Sequence, residues 1–199
     1  MTANMVYTHF TTVLASILLT IVIGVPLGVC AYSFHRFRRV VLVIVEVMQT
    51  IPAMAMLGII MVFLGAGPRT VITGLLLYSL LPVVQNTYVG LKEVSPAIKE
   101  VAKGMGMTRL YRLIHVEMPI AFPFILAGIR IAAVTAVGVA VFGSYVGGGG
   151  LGSVIQRGIR VQNMRLILTG TITLMAMAVS LDAILSFIEK RIRKRFSPH

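Results

Sequence analysis

Acidic residues are scarce in this chain: six Asp and Glu stand against eighteen Lys and Arg in 199 residues. Six scattered carboxylates form no cluster able to hold a metal ion. The single cysteine, Cys30, lies inside an apolar run and excludes both an internal disulfide and a cysteine metal site. There is no HExxH and no serine, histidine and aspartate set on a catalytic spacing. His9, His35, His115 and His199 are scattered through termini and loops, where a lone histidine is expected to be a polar surface group. The chain is therefore expected not to be an enzyme. No GK[ST] follows the GGGGLG tract at 147–152 and no strand precedes it, which argues against a nucleotide loop and for a gate-side turn. No Lys or Arg precedes His9, and the apolar run that follows is too long for a signal h-region, so no cleavable signal peptide is expected.

Charged residues make up only 12% of the chain and hydrophobic ones 57%, with a mean hydropathy of +0.94. That composition does not suit a soluble domain of this length. Five apolar stretches are long enough to cross a bilayer, at 10–34, 40–64, 70–88, 120–146 and 166–188. Gly24 and Gly28 in the first have a small-xxx-small spacing, and Pro26 is expected to kink it. The second is interrupted by Gln49, Thr50 and Pro52, which reads either as a kink packed on neighbouring helices or as a break lining a water-filled path. The third carries Pro82, Gln85, Asn86 and Thr87 and is the most polar. Gln49, Pro52, Gln85 and Asn86 are the candidates for a pathway or gate.

The net charge of +12 does not point to nucleic acid, because the basic residues sit in short clusters between apolar runs. Thirteen of them fall in 35–39, 91–118 and 190–199; Arg69, Arg157, Arg160 and Arg165 fall on the other side, and Arg130 lies within a span. The positive-inside rule makes the 91–118 loop and the basic tail 190–199 cytoplasmic, with Met1 outside. Three ionisable residues, Glu46, Arg130 and Asp182, lie within spans. Such charges are costly unless paired, so Arg130 is expected to meet Glu46, Asp182 or loop carbonyls, the alternative being that each snorkels separately to the interface.

The one long polar interruption, 93–119, reads as two short helices. Ser95 and Pro96 start the first, on which Ile98, Val101, Ala102 and Met105 share a face opposite Lys99, Glu100 and Lys103. Gly104 and Gly106 end it. Thr108 caps the second, which presents Leu110, Leu113 and Ile114 and is limited by Pro119. An apolar face held between membrane spans calls for a partner protein, the alternative being a helix lying on the bilayer.

Glu100, Val101 and Ala102, then Gly106, then Val116, Met118 and Pro119 have the order and spacing of a known pattern: E-A-A, three residues, G, nine residues, I-x-L-P. This resembles the EAA loop of ABC importer permeases, with Val101, Val116 and Met118 as apolar replacements. The segments QTIPAMAMLGI, LLPVVQNTYVGL, ILAGIRIA and GGGGLGSVI are similar to the osmoprotectant branch of that family, whose permeases serve glycine betaine, carnitine and choline. The resemblance spans roughly 8–189. It implies an all-α integral membrane protein, five transmembrane helices with a cytoplasmic coupling-helix loop. It further implies an ATPase subunit dimer, a second permease subunit, identical or related, a separate extracytoplasmic substrate-binding protein, and no cofactor of the chain's own, ATP being used by the partner. Ala97, Ile98, Val101, Ala102 and Met105 would seat in a groove of the ATPase, with Glu100 and Lys103 at its rim and Gly106 at the turn. The GGGGLG tract also resembles methionine permeases, and amino-acid importers share the loop. An ATP-independent channel or carrier subunit is a reading of a different class. The chain has no tryptophan and its six tyrosines are dispersed, so no aromatic cage for a quaternary ammonium group is legible.

Overall fold

The computed structural model describes residues 3–196, with side chains as far as Arg191. The described residues are helical throughout, without strands. Helix α1 (Ala3–Ser33) leads to α2 (His35–Thr50), α3 (Ala53–Leu64) and α4 (Pro68–Glu93). Two short helices follow, α5 (Pro96–Gly104) and α6 (Arg109–Arg112), then a π turn (Leu113–Glu117) that runs into α7 (Met118–Val139) and a 3-10 segment (Ala140–Val146). The chain ends with α8 (Leu151–Arg160) and α9 (Met164–Phe196). The basic tail expected from 190 begins inside α9, and residues 197–199 lie outside the described residues.

Among the described residues four helical stretches are long and apolar enough to cross a membrane, and the pair α2–α3 makes up to five. Pro52 does more than kink the second stretch: α2 and α3 are separate helices bent by 101°. Proline disfavours helical backbone in the residue before it and donates no hydrogen bond, and Ile51 is accordingly extended, with φ −68° and ψ 127°. The Thr50 hydroxyl donates to the Val47 carbonyl at 2.7 Å, helping to satisfy the last turn of α2.

Helix α4 is the centre of the bundle and the most buried of the long helices. Small residues let its neighbours approach closely. A Cβ on Gly28 of α1 would stand 2.5 Å from Thr87, and one on Gly128 of α7 would stand 2.5 Å from the Pro82 carbonyl oxygen. The α1 spacing read as a packing motif thus faces α4. Buried hydroxyls along these seams bond back to their own helices: Thr20 donates to Ser16 O at 2.8 Å and Thr87 to Val83 O at 2.7 Å. Helix α9 packs on the core through a stripe of Leu174, Met177, Ala178, Leu181 and Leu185, and its opposite face exposes Leu168, Ile172, Met175 and Val179.

At one end of the bundle the glycine tract makes a tight turn. Gly147, Gly149 and Gly150 have positive φ, and Gly150 backs onto His9. His9, expected at the surface, is buried, and its Nε2 lies 3.1 Å from the Val137 carbonyl oxygen. The reason is local: α7 tightens into the 3-10 segment just beyond Val137. Helix α8 has no counterpart in the sequence reading; its Leu151, Val154 and Gly158 turn inward and Arg157 and Arg160 outward.

Gly128→Ala should destabilise the chain by about 1–3 kcal/mol through overpacking. Gly138→Ala, on the same helix with nothing within 4 Å of its Cβ position, should be neutral or gain up to about 1 kcal/mol. Thermal unfolding of the two variants in detergent checks the difference.

Candidate functional site

The opposite end of the bundle carries the α5–α6 hairpin. Pro96 occupies the first turn of α5, and Ser95 holds the N-cap position without a side-chain bond. The helix ends in a Schellman motif: Met107 N–H donates to Ala102 O at 3.2 Å and Gly106 N–H to Lys103 O at 3.0 Å. Gly106 sits in the left-handed region at φ +78°, where a side chain is strained although open space surrounds the position. The motif folds Met107 back beside Ala102. With Ala97, Ile98, Val101, Met105 and Val116 these two residues line a wholly apolar hollow of about 340 Å³.

Within that hollow the anticipated face divides. Val101 is 64% exposed and Met105 72%, whereas Ala102 is 4% exposed and belongs to the chain's own packing. Ile98 is also exposed, and Glu100 and Lys103 are exposed beside the hollow. Lys99 turns toward the bundle rather than to solvent. Its ammonium donates to the Leu91 carbonyl at 3.1 Å and lies 5.3 Å from the centre of the Tyr32 ring.

The second helix is one turn, capped by Thr108, whose Oγ1 accepts from Tyr111 N–H at 3.4 Å. Pro119 does not end it. Met118 N–H reaches back to Leu113 O, and this wider π turn passes the chain into α7 with Pro119 in the first turn, where the offset ladder asks little of a residue without an N–H. The turn also places Glu117 inside the protein, 1% exposed, accepting from Arg112 Nε at 2.7 Å. Arg109 donates to the Ser33 carbonyl at the end of α1.

The intramembrane charges are brought together in part. Arg130 makes a fork to Asp182, Nε to Oδ1 at 2.5 Å and Nη2 to Oδ2 at 3.0 Å, joining α7 to α9, and its Nη1 reaches Glu189 at 3.4 Å. Glu46 is exposed on α2 and outside that cluster. Among the pathway candidates, Gln49 donates to the Tyr78 carbonyl at 3.5 Å, the group that Pro82 leaves without its helical donor. Asn86 donates to Pro82 O at 2.8 Å and packs on Gly128. Gln85 is exposed and Pro52 marks the α2–α3 break.

The family model for the binding-protein-dependent transport system inner membrane component matches residues 16–194. The chain belongs to this family. It is 41% identical over 187 residues to the glycine betaine/carnitine/choline transport system permease protein OpuCD of Bacillus subtilis (strain 168), covering 94% of this chain and 82% of that protein. It is 42% identical to the choline transport system permease protein OpuBD of the same organism, covering 92% and 82%. A solved structure of the MetNI methionine ABC transporter in inward-facing conformations superposes with a TM-score of 0.85 at 23% identity, over 96% of this chain and 99% of that one, a likeness of fold.

As an inner-membrane component this permease is a transport subunit, and the residues that the sequence reading missed gather where its hairpin meets the bundle. Tyr32, Arg109, Arg112 and Glu117 were absent from the candidates, as was Glu189. Glu117 carried a signal: it is one of six acidic residues, five positions after an arginine, in a run that is apolar but for His115. Which way it points depends on the π turn, which side-chain periodicity does not reveal.

Ala102→Asp should destabilise the chain by several kcal/mol, about 2 or more, by burying an unpaired carboxylate. Val101→Asp should lie within about 0.5 kcal/mol of wild type, as read by unfolding in detergent. Arg130→Gln and Asp182→Asn should each lower stability, and the double variant should cost less than their sum by about 0.5 kcal/mol or more.

Proposed function

We propose that this permease moves an osmoprotectant, namely glycine betaine, carnitine, choline or a similar quaternary ammonium compound, inward across the bacterial cytoplasmic membrane, driven by ATP that a partner hydrolyses. The observation that carries the reading is 41–42% identity, over more than nine-tenths of the chain, to permeases named for those compounds. The hairpin supplies the physical means. Its apolar face, with Val101 and Met105 exposed beside the hollow, has the chemistry of a helix that seats in a groove of a partner ATPase. Two ATPase subunits would engage two permease subunits, identical or related. Five spans are too few to enclose a path alone, and the apolar outer faces of α2, α3 and α9 meet lipid or the second subunit. A separate binding protein would deliver substrate from outside.

In this reading the hairpin and the end of α9 are cytoplasmic and the glycine turn is outside, as the distribution of lysine and arginine favours. ATP binding closes the ATPase dimer, the hairpin moves with it, and the helices rock between inward and outward access. The chain contributes no catalytic group and no cofactor of its own. Gln85, polar and exposed about two-thirds of the way along α4, is suited to face the path.

In proteoliposomes holding the whole complex with ATP at the ATPase side, binding protein and glycine betaine should stimulate hydrolysis and drive uptake. Gly106→Asp should abolish both while the chain stays in the membrane. Uptake that proceeds without any ATPase partner would refute the proposal in favour of a carrier.

A further inference from the structure

Three cations of the hairpin region converge on the last turn of α1. Lys99 of α5 stands over the Tyr32 ring, Arg109 of α6 donates to the Ser33 carbonyl, and Arg112 donates to Glu117, which shares a cavity with Tyr32 and Ser33. The Ser33 carbonyl lies at a helix C-terminus, where unpaired carbonyls and the helix dipole favour a cation. The cavity, of about 310 Å³, is lined by Tyr32, Ser33, Arg109, Arg112, Leu113 and Glu117. Glu117 is buried within it, yet only Oε1 is engaged. Its Oε2 has no hydrogen-bond partner among the described residues.

A buried carboxylate oxygen left unpaired is unfavourable, and such groups in native proteins mark strain, function or a second arrangement. Donors line the same space: the Tyr32 hydroxyl stands close enough to the Glu117 carboxylate to interact with it without completing a bond of ordinary geometry to Oε2, and the Ser33 hydroxyl and the Arg109 guanidinium lie beside it. A closure of the cavity would bring one of them onto Oε2, and an opening would leave Oε2 without a donor. The cavity walls belong to different parts of the chain, α1 on one side and the hairpin with the π turn before α7 on the other.

We propose that Tyr32 and Glu117 form the joint through which movement of the hairpin reaches α1, with Glu117 as a positioning residue whose second oxygen gains its donor in one of the two access states. This rests on the reading of the chain as an ATPase-driven permease. The hairpin would then have two separate faces. The face of Val101 and Met105 seats in the ATPase, and the Lys99, Arg109 and Arg112 side passes the motion to α1. A ring carrying both a cation over its face and a hydroxyl toward the carboxylate makes Tyr32 the link between them.

The test uses the assembled complex in proteoliposomes, with binding protein and glycine betaine, comparing wild type with Glu117→Gln, Glu117→Asp and Tyr32→Phe. For each, ATPase retention, basal hydrolysis, stimulated hydrolysis and uptake are measured. Glu117→Gln and Tyr32→Phe should keep the ATPase bound and basal hydrolysis near wild type, while uptake per ATP hydrolysed falls about tenfold. Glu117→Asp should recover part of the loss. A merely structural role would lower retention, hydrolysis and uptake together and leave their ratio unchanged, and that result would overturn the proposal, as would wild-type ratios in both variants. If wild type itself showed no stimulation by binding protein and substrate, the importer reading and this inference would fall together. Stimulated wild type with indifferent variants would remove the inference alone.

Discussion

The close approach of α1 and α7 to the two sides of α4 is the constraint on which the rest of the fold depends. In a lipid environment apolar burial supplies little drive for helices to associate, so packing contact and hydrogen bonding must do so. Gly28 against Thr87 and Gly128 against Pro82 and Asn86 bring backbones together where any larger residue would hold them apart. With those seams fixed, α9 is added on the far side of α7 through its apolar stripe and the Arg130–Asp182 fork, and α2 and α3 wrap the remaining flank of α4.

The prolines impose a second constraint. Each one inside an apolar helix leaves a carbonyl without its donor, and the medium offers no water to replace it. Near Pro82 the repair comes from Gln49, which donates to Tyr78 O. Pro52 is handled by ending one helix and starting another at a steep angle, and Pro119 by a π turn that shifts the ladder past it. The third solution has a further consequence, because the same turn carries Glu117 inside and sets it against Arg112. The accommodation of one proline at the mouth of α7 thereby builds the polar joint beneath the hairpin.

Much of this was legible in the chain. The apolar runs gave the long helices, Gly106 the turn, and the E-V-A, G and V-x-M-P spacing the family, because these depend on local periodicity and residue type. The Arg130–Asp182 pair was one of the pairings expected of charges within the spans, whereas Glu46 was grouped with it only because distance along a helix does not say which way a side chain faces. Lys99 was placed on the solvent side of an ideal wheel, but Tyr32, distant in sequence, supplies a face for it. His9 and α8 were missed for a related reason: what buries the histidine is a carbonyl at the end of α7 and a glycine turn, neither of which sequence alone brings near it.

The central claim is that the exposed apolar face of the hairpin seats in the ATPase. Cys30 is the only cysteine, so a Cys30→Ser background gives a clean chain for a single reporter at Met105→Cys. With the assembled complex, a short thiol-to-amine cross-linker should join that position to the ATPase subunit in high yield, and Val62→Cys on the outer face of α3 should give none. Cross-linking of Met105→Cys to lipid or to a second permease, with the ATPase untouched, would contradict the account.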